Sequence, residues 1–115
     1  DSYWRIQRHA GWWKTEQPTE EIKRFVEKQL QENEIDIILS HTCPRKYEPI
    51  EAFLAFIDQS TVDTSTEDWL DSIEEKTGYE AWYCGHWHIE KDIDKMHFLF
   101  KTWRVISCPE WHLLL

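Results

Sequence analysis

The stretch that decides the fold is a short apolar and aromatic run that ends in a glycine and two histidines: Glu80-Ala81-Trp82-Tyr83-Cys84-Gly85-His86-Trp87-His88. Residues 80–84 have the composition of a β-strand. On extended backbone, the i, i+2 spacing projects His86 and His88 to the same side, with α-carbons about 6–7 Å apart. That separation suits two imidazoles that bind two neighbouring metal ions. Gly85 is expected to let the backbone adopt a shape that other residues resist.

A second stretch repeats this arrangement of a strand that ends in histidine. Residues 35–39 form a β-branched apolar run, typical of a buried strand, and Ser40 and His41 follow it directly. Each of the two predicted strands is preceded by a helical pattern. Ligands of open α/β sheets bind just beyond the carboxyl ends of the strands. We therefore predict that His41, His86 and His88 converge on one site.

Two helices are predicted from their start and stop signals. Residues 18–21 (Pro-Thr-Glu-Glu) open the first helix, with proline and acidic residues where the helix dipole favours them. Ser65 is the predicted N-cap of the second helix, with Asp68 in a capping-box position. Gly78 is its predicted C-cap.

The end of the chain is predicted to be an antiparallel finish. We expect a turn near residues 90–94, followed by two strands over residues 95–101 and 103–107. Short strands that alternate with helices indicate an α/β layer structure. The length of 115 residues allows one small domain.

Composition narrows the partners and the compartment. Lys plus Arg number 13 against 22 Asp plus Glu, so the formal net charge of −9 argues against nucleic acid or an anionic membrane as the main partner. No apolar run is long enough to span a bilayer. The three cysteines are odd in number and widely spaced, which indicates reduced thiols. We therefore expect a cytoplasmic protein.

Residues 38–44, together with residues 84–88, resemble the C-terminal half of the calcineurin-like metallophosphoesterases. That family builds its site from Asp-x-His, Gly-Asp-x-x-Asp, Gly-Asn-His-Glu or Asp, a lone His, and Gly-His-x-His, and only the last two motifs occur here. The resemblance extends over nearly the whole chain. It implies that residues 1–115 are the C-terminal portion of a metallophosphoesterase domain, one half of a four-layer αββα sandwich.

The resemblance also implies a chemistry. The intact enzyme would hold two divalent metal ions (Mn, Fe or Zn), with His41 and His86 on one ion and His88 on the other. It would hydrolyse a phosphoprotein or a small phosphomonoester with a metal-activated hydroxide. Arg5 is a candidate substrate contact, since a guanidinium can pair with phosphate oxygens, although it also fits an exposed surface arginine. The expected partners are the missing N-terminal half of the domain, or a second copy of the chain.

Two alternatives stay open at this point. Because the first three metal motifs are absent, the chain alone is expected to be inactive, and it also fits a catalytically inactive, self-associating fragment or interaction module. A mixed set of ligands for a structural zinc ion is the alternative for the site: Cys43, Cys84, His86, His88 and Cys108. The sequence has no Cys-x-x-Cys pair, which such zinc sites usually contain.

Overall fold

Helices and strands alternate over the first part of the described chain, as the sequence predicts, and further strands then follow one another. The computed structural model describes residues 14–53, 55, 58–106 and 113–114. Its two α-helices are α1 (Glu20–Glu32) and α2 (Ser65–Lys76). Its strands are β1 (Ile37–Ser40), β2 (Ala81–Cys84), β3 (Lys91–Ile93), β4 (Met96–Phe98) and β5 (Leu113–Leu114). Short 3-10 helices lie at Lys14–Glu16, Arg45–Tyr47, Ile50–Ala52 and Gln59–Thr61.

The strands form one mixed sheet in the order β3-β4-β2-β1-β5. β1 pairs in parallel with both β2 and β5, β2 pairs in parallel with β4, and β3 runs antiparallel to β4. Ser40 at the end of β1 lies opposite Cys84 at the end of β2. The loops after these two strands therefore leave the sheet side by side.

Helix α1 begins as predicted but buries little of its apolar stripe. The Thr19 side chain caps it by accepting a hydrogen bond from the Ile22 backbone N–H at 3.3 Å. Val26 and Leu30 pack against the core, whereas Ile22 and Phe25 on the same helix are 51% and 62% exposed. Among the described residues, no helix combines the length and the apolarity needed to cross a bilayer.

Helix α2 starts and stops one residue away from the predicted caps. Thr64 is its N-cap rather than Ser65, because the Asp63 carboxylate accepts the Ser65 N–H at 2.9 Å and draws Ser65 into the first turn. The Thr64 hydroxyl, in turn, donates to Asp68 at 3.2 Å. At the other end the chain leaves through Thr77 in an extended conformation, so Gly78 is not needed as a left-handed cap.

The core lies between the helices and one face of the sheet. Leu70 and Ile73 of α2 are buried against it, and Trp82 of β2 is completely buried. Alternate residues of a strand face opposite sides, so Trp82 and Cys84 share this face, whereas Ala81 and Tyr83 face away and are half-buried. The buried cluster consists of Ile35, Ile38, Cys43, Leu70, Ile73, Tyr79, Trp82, Cys84, Met96 and Phe98.

The antiparallel finish exists, but it lies earlier in the chain than predicted. Residues 91–93 form a strand instead of a turn, and they pair with β4 in a tight hairpin. Asp94 has a φ of 53° in that hairpin turn, a conformation that aspartate adopts more readily than most residues. Residues 102–106 are not a strand, since Thr102 is bound by Glu90 and Arg104 pairs with Asp92 through its side chain. Residue 107 lies outside the described residues.

Candidate functional site at the carboxyl ends of β1 and β2

Two of the predicted site histidines touch each other. The Gly85 N–H donates to the His41 carbonyl at 3.1 Å and so ties the two loops together directly beyond the strands. His41 Nε2 and His86 Nδ1 lie 2.9 Å apart, with ring centres 4.9 Å apart and an interplanar angle of 76°. At this distance one ring nitrogen carries a proton and donates a hydrogen bond to the other. The parallel sheet thus brings together His41 and His86, from sequence positions 45 residues apart.

The loop after β2 is not extended, so the prediction of an extended backbone through the two histidines is wrong. His86 has a φ of 62° and His88 a φ of 54°, both left-handed. Gly85 does not adopt a left-handed φ, and a Cβ there would make ordinary contacts of 3.7 Å with the Leu99 carbonyl oxygen and 3.9 Å with that of His41. The unusual conformation falls on the histidines because the chain turns sharply between them, with the Trp87 N–H on the Gly85 carbonyl at 2.7 Å.

His88 faces a different neighbour from His86. Its imidazole stacks on the Phe100 ring, with centres 4.6 Å apart and planes 17° apart. Among the described residues, no three His, Cys, Asp or Glu side chains come together as a possible metal site. The structure therefore shows a His41–His86 pair with His88 stacked nearby, and the role of all three as metal ligands stays a prediction.

Glu90 binds the loop that carries Phe100. Its carboxylate accepts the backbone N–H groups of Phe100 (3.1 Å), Lys101 (2.5 Å) and Thr102 (2.9 Å), together with the Thr102 hydroxyl (2.6 Å). These donors, with the Thr102 hydroxyl first, lower the pKa of Glu90 to about 2. The loop after β2 and the loop after β4 are thereby joined through one side chain.

Two stacked aromatic rings lie on one side of His86. Trp87 stacks on Phe53 with ring centres 5.4 Å apart, and it meets the edge of His86 at 4.9 Å. The Trp87 indole nitrogen is buried and has no hydrogen-bond partner in the described part of the chain. Flat apolar surface beside an exposed imidazole limits the directions from which water can approach it.

Consecutive hydrogen bonds that begin in the core fix the loop that carries His41. The indole of the completely buried Trp82 donates to the Ser40 hydroxyl at 2.7 Å, and that hydroxyl donates to the Thr42 carbonyl at 2.5 Å. Thr42 is only 6% exposed, and its own hydroxyl has no partner among the described residues. Both residues that flank His41 are therefore fixed by the core.

The described cysteines do not support the structural-zinc alternative. Cys43 and Cys84 are free and buried. A hydrogen bond with Cys43, together with burial, raises the pKa of the Cys84 thiol, and among the described residues these two cysteines do not come together with His86 and His88 as a group of ligands. Cys108 lies outside the described residues.

Arg5, the predicted substrate contact, also lies outside the described residues. The sequence did not single out His97 as a site residue, and its contacts lie on the sheet. Its Nδ1 lies 2.7 Å from the Asp92 carboxylate, and its ring stacks on Tyr83 with centres 4.8 Å apart. Arg104 binds the same Asp92 carboxylate at 3.1 Å.

Sequence reasoning missed the residues that support the histidines. Ser40 and Glu90 lie within two residues of His41 and His88, so adjacency to the motif was a usable signal for both. Phe100 lies twelve residues beyond its partner His88, and no local pattern connects them.

The site can perform a limited chemistry with the residues described. The His41–His86 pair offers ring nitrogens to a metal ion, or holds one proton between two rings.

No protein-family model, no curated protein and no solved structure matches this chain.

Proposed function

We propose that this chain is the C-terminal part of a binuclear-metal phosphoesterase that hydrolyses phosphate esters. The observation that carries the proposal is the 2.9 Å contact between His41 Nε2 and His86 Nδ1. Two nitrogens bound at about 2.0–2.1 Å to one tetrahedral ion lie roughly 3.3 Å apart, so a small opening of the pair would let an ion replace the shared proton. This fit supports His41 and His86 as ligands of the same metal.

His88 is assigned to the second metal in this proposal. The remaining ligands would come from the three motifs that the sequence lacks, because the described residues contain no third His, Cys, Asp or Glu beside the pair. Bound metal ions would supply an activated hydroxide and would offset the charge on the phosphate oxygens. This chain would hold and orient the imidazoles, and Trp87 and Phe53 would keep bulk water from one side.

The same proposal makes the sheet one half of a four-layer αββα sandwich. Its support is confined to β2, where Trp82 and Cys84 are buried against the core and Ala81 and Tyr83 on the other face are half-buried; the neighbouring Ile37 of β1, on that second face, is already buried. A complementary N-terminal half would cover that second face. The free thiols of Cys43 and Cys84 fit a cytoplasmic location.

The decisive experiment uses the protein encoded by the complete reading frame. We expect it to hydrolyse an aryl phosphate in the presence of Mn²⁺, and His86→Ala to lower turnover by more than about 100-fold, since even residues that only support metal ligands cost 10–100-fold. His97→Ala is the matched control, because His97 binds Asp92 away from the site. Unchanged turnover in His86→Ala would overturn the proposal.

The isolated 115-residue chain is expected to have negligible phosphatase activity. Three imidazoles cannot replace the carboxylates that balance the metal charge. The measurement is the same aryl phosphate assay with added Mn²⁺. Robust turnover that disappears in His86→Ala would show that the chain is a complete enzyme.

A second candidate function is a self-associating, catalytically inactive module. The observation that favours it is a set of exposed large apolar side chains, with exposures from 51% to 79%: Ile22, Phe25, Trp103 and Val105. Exposed apolar side chains drive association where they form a contiguous patch.

Light scattering at several concentrations tests this module. We expect the apparent mass to rise above the 14.1 kDa of one chain. Phe25→Gln should reduce that rise, whereas Arg24→Gln on the same helix should not. A stable monomer at all concentrations would contradict self-association.

A further inference from the structure

Glu90 is not one of the proposed metal ligands, but its hydrogen bonds connect it to His88 through the loop after β4. Three consecutive backbone N–H groups, of residues 100–102, point at a single oxygen of Glu90, and the Thr102 hydroxyl binds the other oxygen. A carboxylate that accepts several N–H groups makes charge-assisted hydrogen bonds, which are about twice as strong as neutral ones. Residues 102–106 have no regular secondary structure, so these bonds set the path of the chain after β4.

That path determines where Phe100 lies. The Leu99 N–H still binds the Cys84 carbonyl at 2.8 Å, as a continuation of the β2–β4 pairing, but from Phe100 onward the backbone donors turn to Glu90. The turn brings the Phe100 ring flat against His88, 4.6 Å between centres. His88, meanwhile, has a left-handed φ of 54°, a conformation that persists only where the surroundings enforce it.

We propose that Glu90 is a positioning residue: by holding residues 100–102 it keeps Phe100 stacked on His88, and so fixes the direction of the His88 imidazole. The inference rests on the proposed function, because a fixed direction matters for catalysis only if His88 binds a metal. The interaction is that of a carboxylate with a cluster of backbone N–H groups. It orders the loop without any contact between Glu90 and the reacting atoms.

The test is the histidine ring NMR spectrum of the metal-free 115-residue chain. A ring stacked on an aromatic face is shielded, so Glu90→Ala should move the His88 ring-proton signals downfield, towards the position that they take in Phe100→Leu. The His97 signals should stay in place, because their shielding comes from Tyr83. Glu75→Ala, which removes an exposed glutamate from α2, is the matched control and should shift neither histidine.

Glu90→Gln keeps the test decisive if Glu90→Ala unfolds. Glutamine retains one oxygen for the backbone N–H groups but cannot accept the Thr102 hydroxyl through its amide nitrogen. It should therefore give a smaller downfield shift of the His88 signals. Unchanged His88 signals in folded Glu90→Ala, or in Glu90→Gln if the alanine variant does not fold, would overturn the inference.

The proposed function is tested separately, by titration of the complete reading-frame protein with Mn²⁺. If the metal does not bind there, while Glu90→Ala still shifts the His88 signals, the proposed function fails and the positioning role of Glu90 stands.

Discussion

The loops after β1 and β2 each carry a histidine of the candidate site, but different forces hold them. Thr42, Cys43 and Pro44 after β1 are all buried, so the position of His41 depends on the core. His86 and His88 after β2 are exposed, and their loop depends on stacking and on the Glu90 hydrogen bonds. We therefore expect the position of His41 to depend more on global stability than the positions of His86 and His88 do.

The largest expected effect comes from the core residue that supports the β1 loop. Trp82→Ala should lower the free energy of unfolding by about 3–5 kcal/mol, the usual cost of replacing a buried tryptophan by alanine. Urea denaturation followed by circular dichroism measures it. Trp103→Ala is the matched control: Trp103 is 79% exposed, so its replacement should change the free energy by no more than about 0.5 kcal/mol. Equal effects of the two changes would contradict the fold.

A smaller effect is expected at the hydrogen-bonded chain below His41. Ser40→Ala removes the acceptor of the Trp82 indole and leaves a buried donor unsatisfied, which should cost about 1–3 kcal/mol in urea denaturation. Ser60→Ala serves as the control, since the Ser60 hydroxyl binds an exposed carboxylate, that of Asp58. A loss in Ser40→Ala no greater than in the control would mean that burial alone holds this loop.

The smallest effect is a loss of stability at alkaline pH. Tyr47, just after the β1 loop, and Tyr79, just before β2, donate to the Glu74 carboxylate at 3.2 Å and 3.1 Å. Burial, and then the neighbouring Glu74, raise the pKa of Tyr79 above the usual value of 10.0. The unfolded chain loses this phenol proton first, so the stabilisation is complete below pH 10 and is lost as the pH rises, by about 1 kcal/mol at pH 11.

Urea denaturation between pH 9 and pH 11 measures this loss. The pH dependence should be weaker in Tyr79→Phe, which has no phenol to titrate at that position. Tyr83→Phe is the control, because Tyr83 stacks on His97 and is not part of the Glu74 cluster. An equally steep decline in Tyr79→Phe would rule out Tyr79 as the source.

Much of the fold followed from local patterns. The helix that opens after Thr19, the buried strand before His41 and the strand before Gly85 all lie where periodicity and capping residues predicted them. The meeting of His41 and His86 also followed, because parallel neighbouring strands end at the same edge of a sheet. These predictions succeeded because each depends on short-range chemistry, or on a general rule of parallel sheets.

Other features could not be derived from local patterns. Residues 91–93 lie in a charged stretch that looks like a turn, yet they become a strand because β4 provides a partner for their backbone groups and Ile93 packs against the core. Nothing in the local sequence predicts the left-handed φ of His86 and His88, because that conformation is usually adopted by glycine. In both places the contact with a neighbour outweighed the local preference.

The sequence by itself determined the order of helices and strands, and the placement of His41, His86 and His88 at strand ends, because apolar periodicity and helix capping act over only a few residues. The tertiary structure decided that His86 meets His41 while His88 meets Phe100, and that Glu90 binds a loop ten to twelve residues away. Those contacts depend on which groups become neighbours once the sheet has formed, so they contribute to the free energy only in the folded chain.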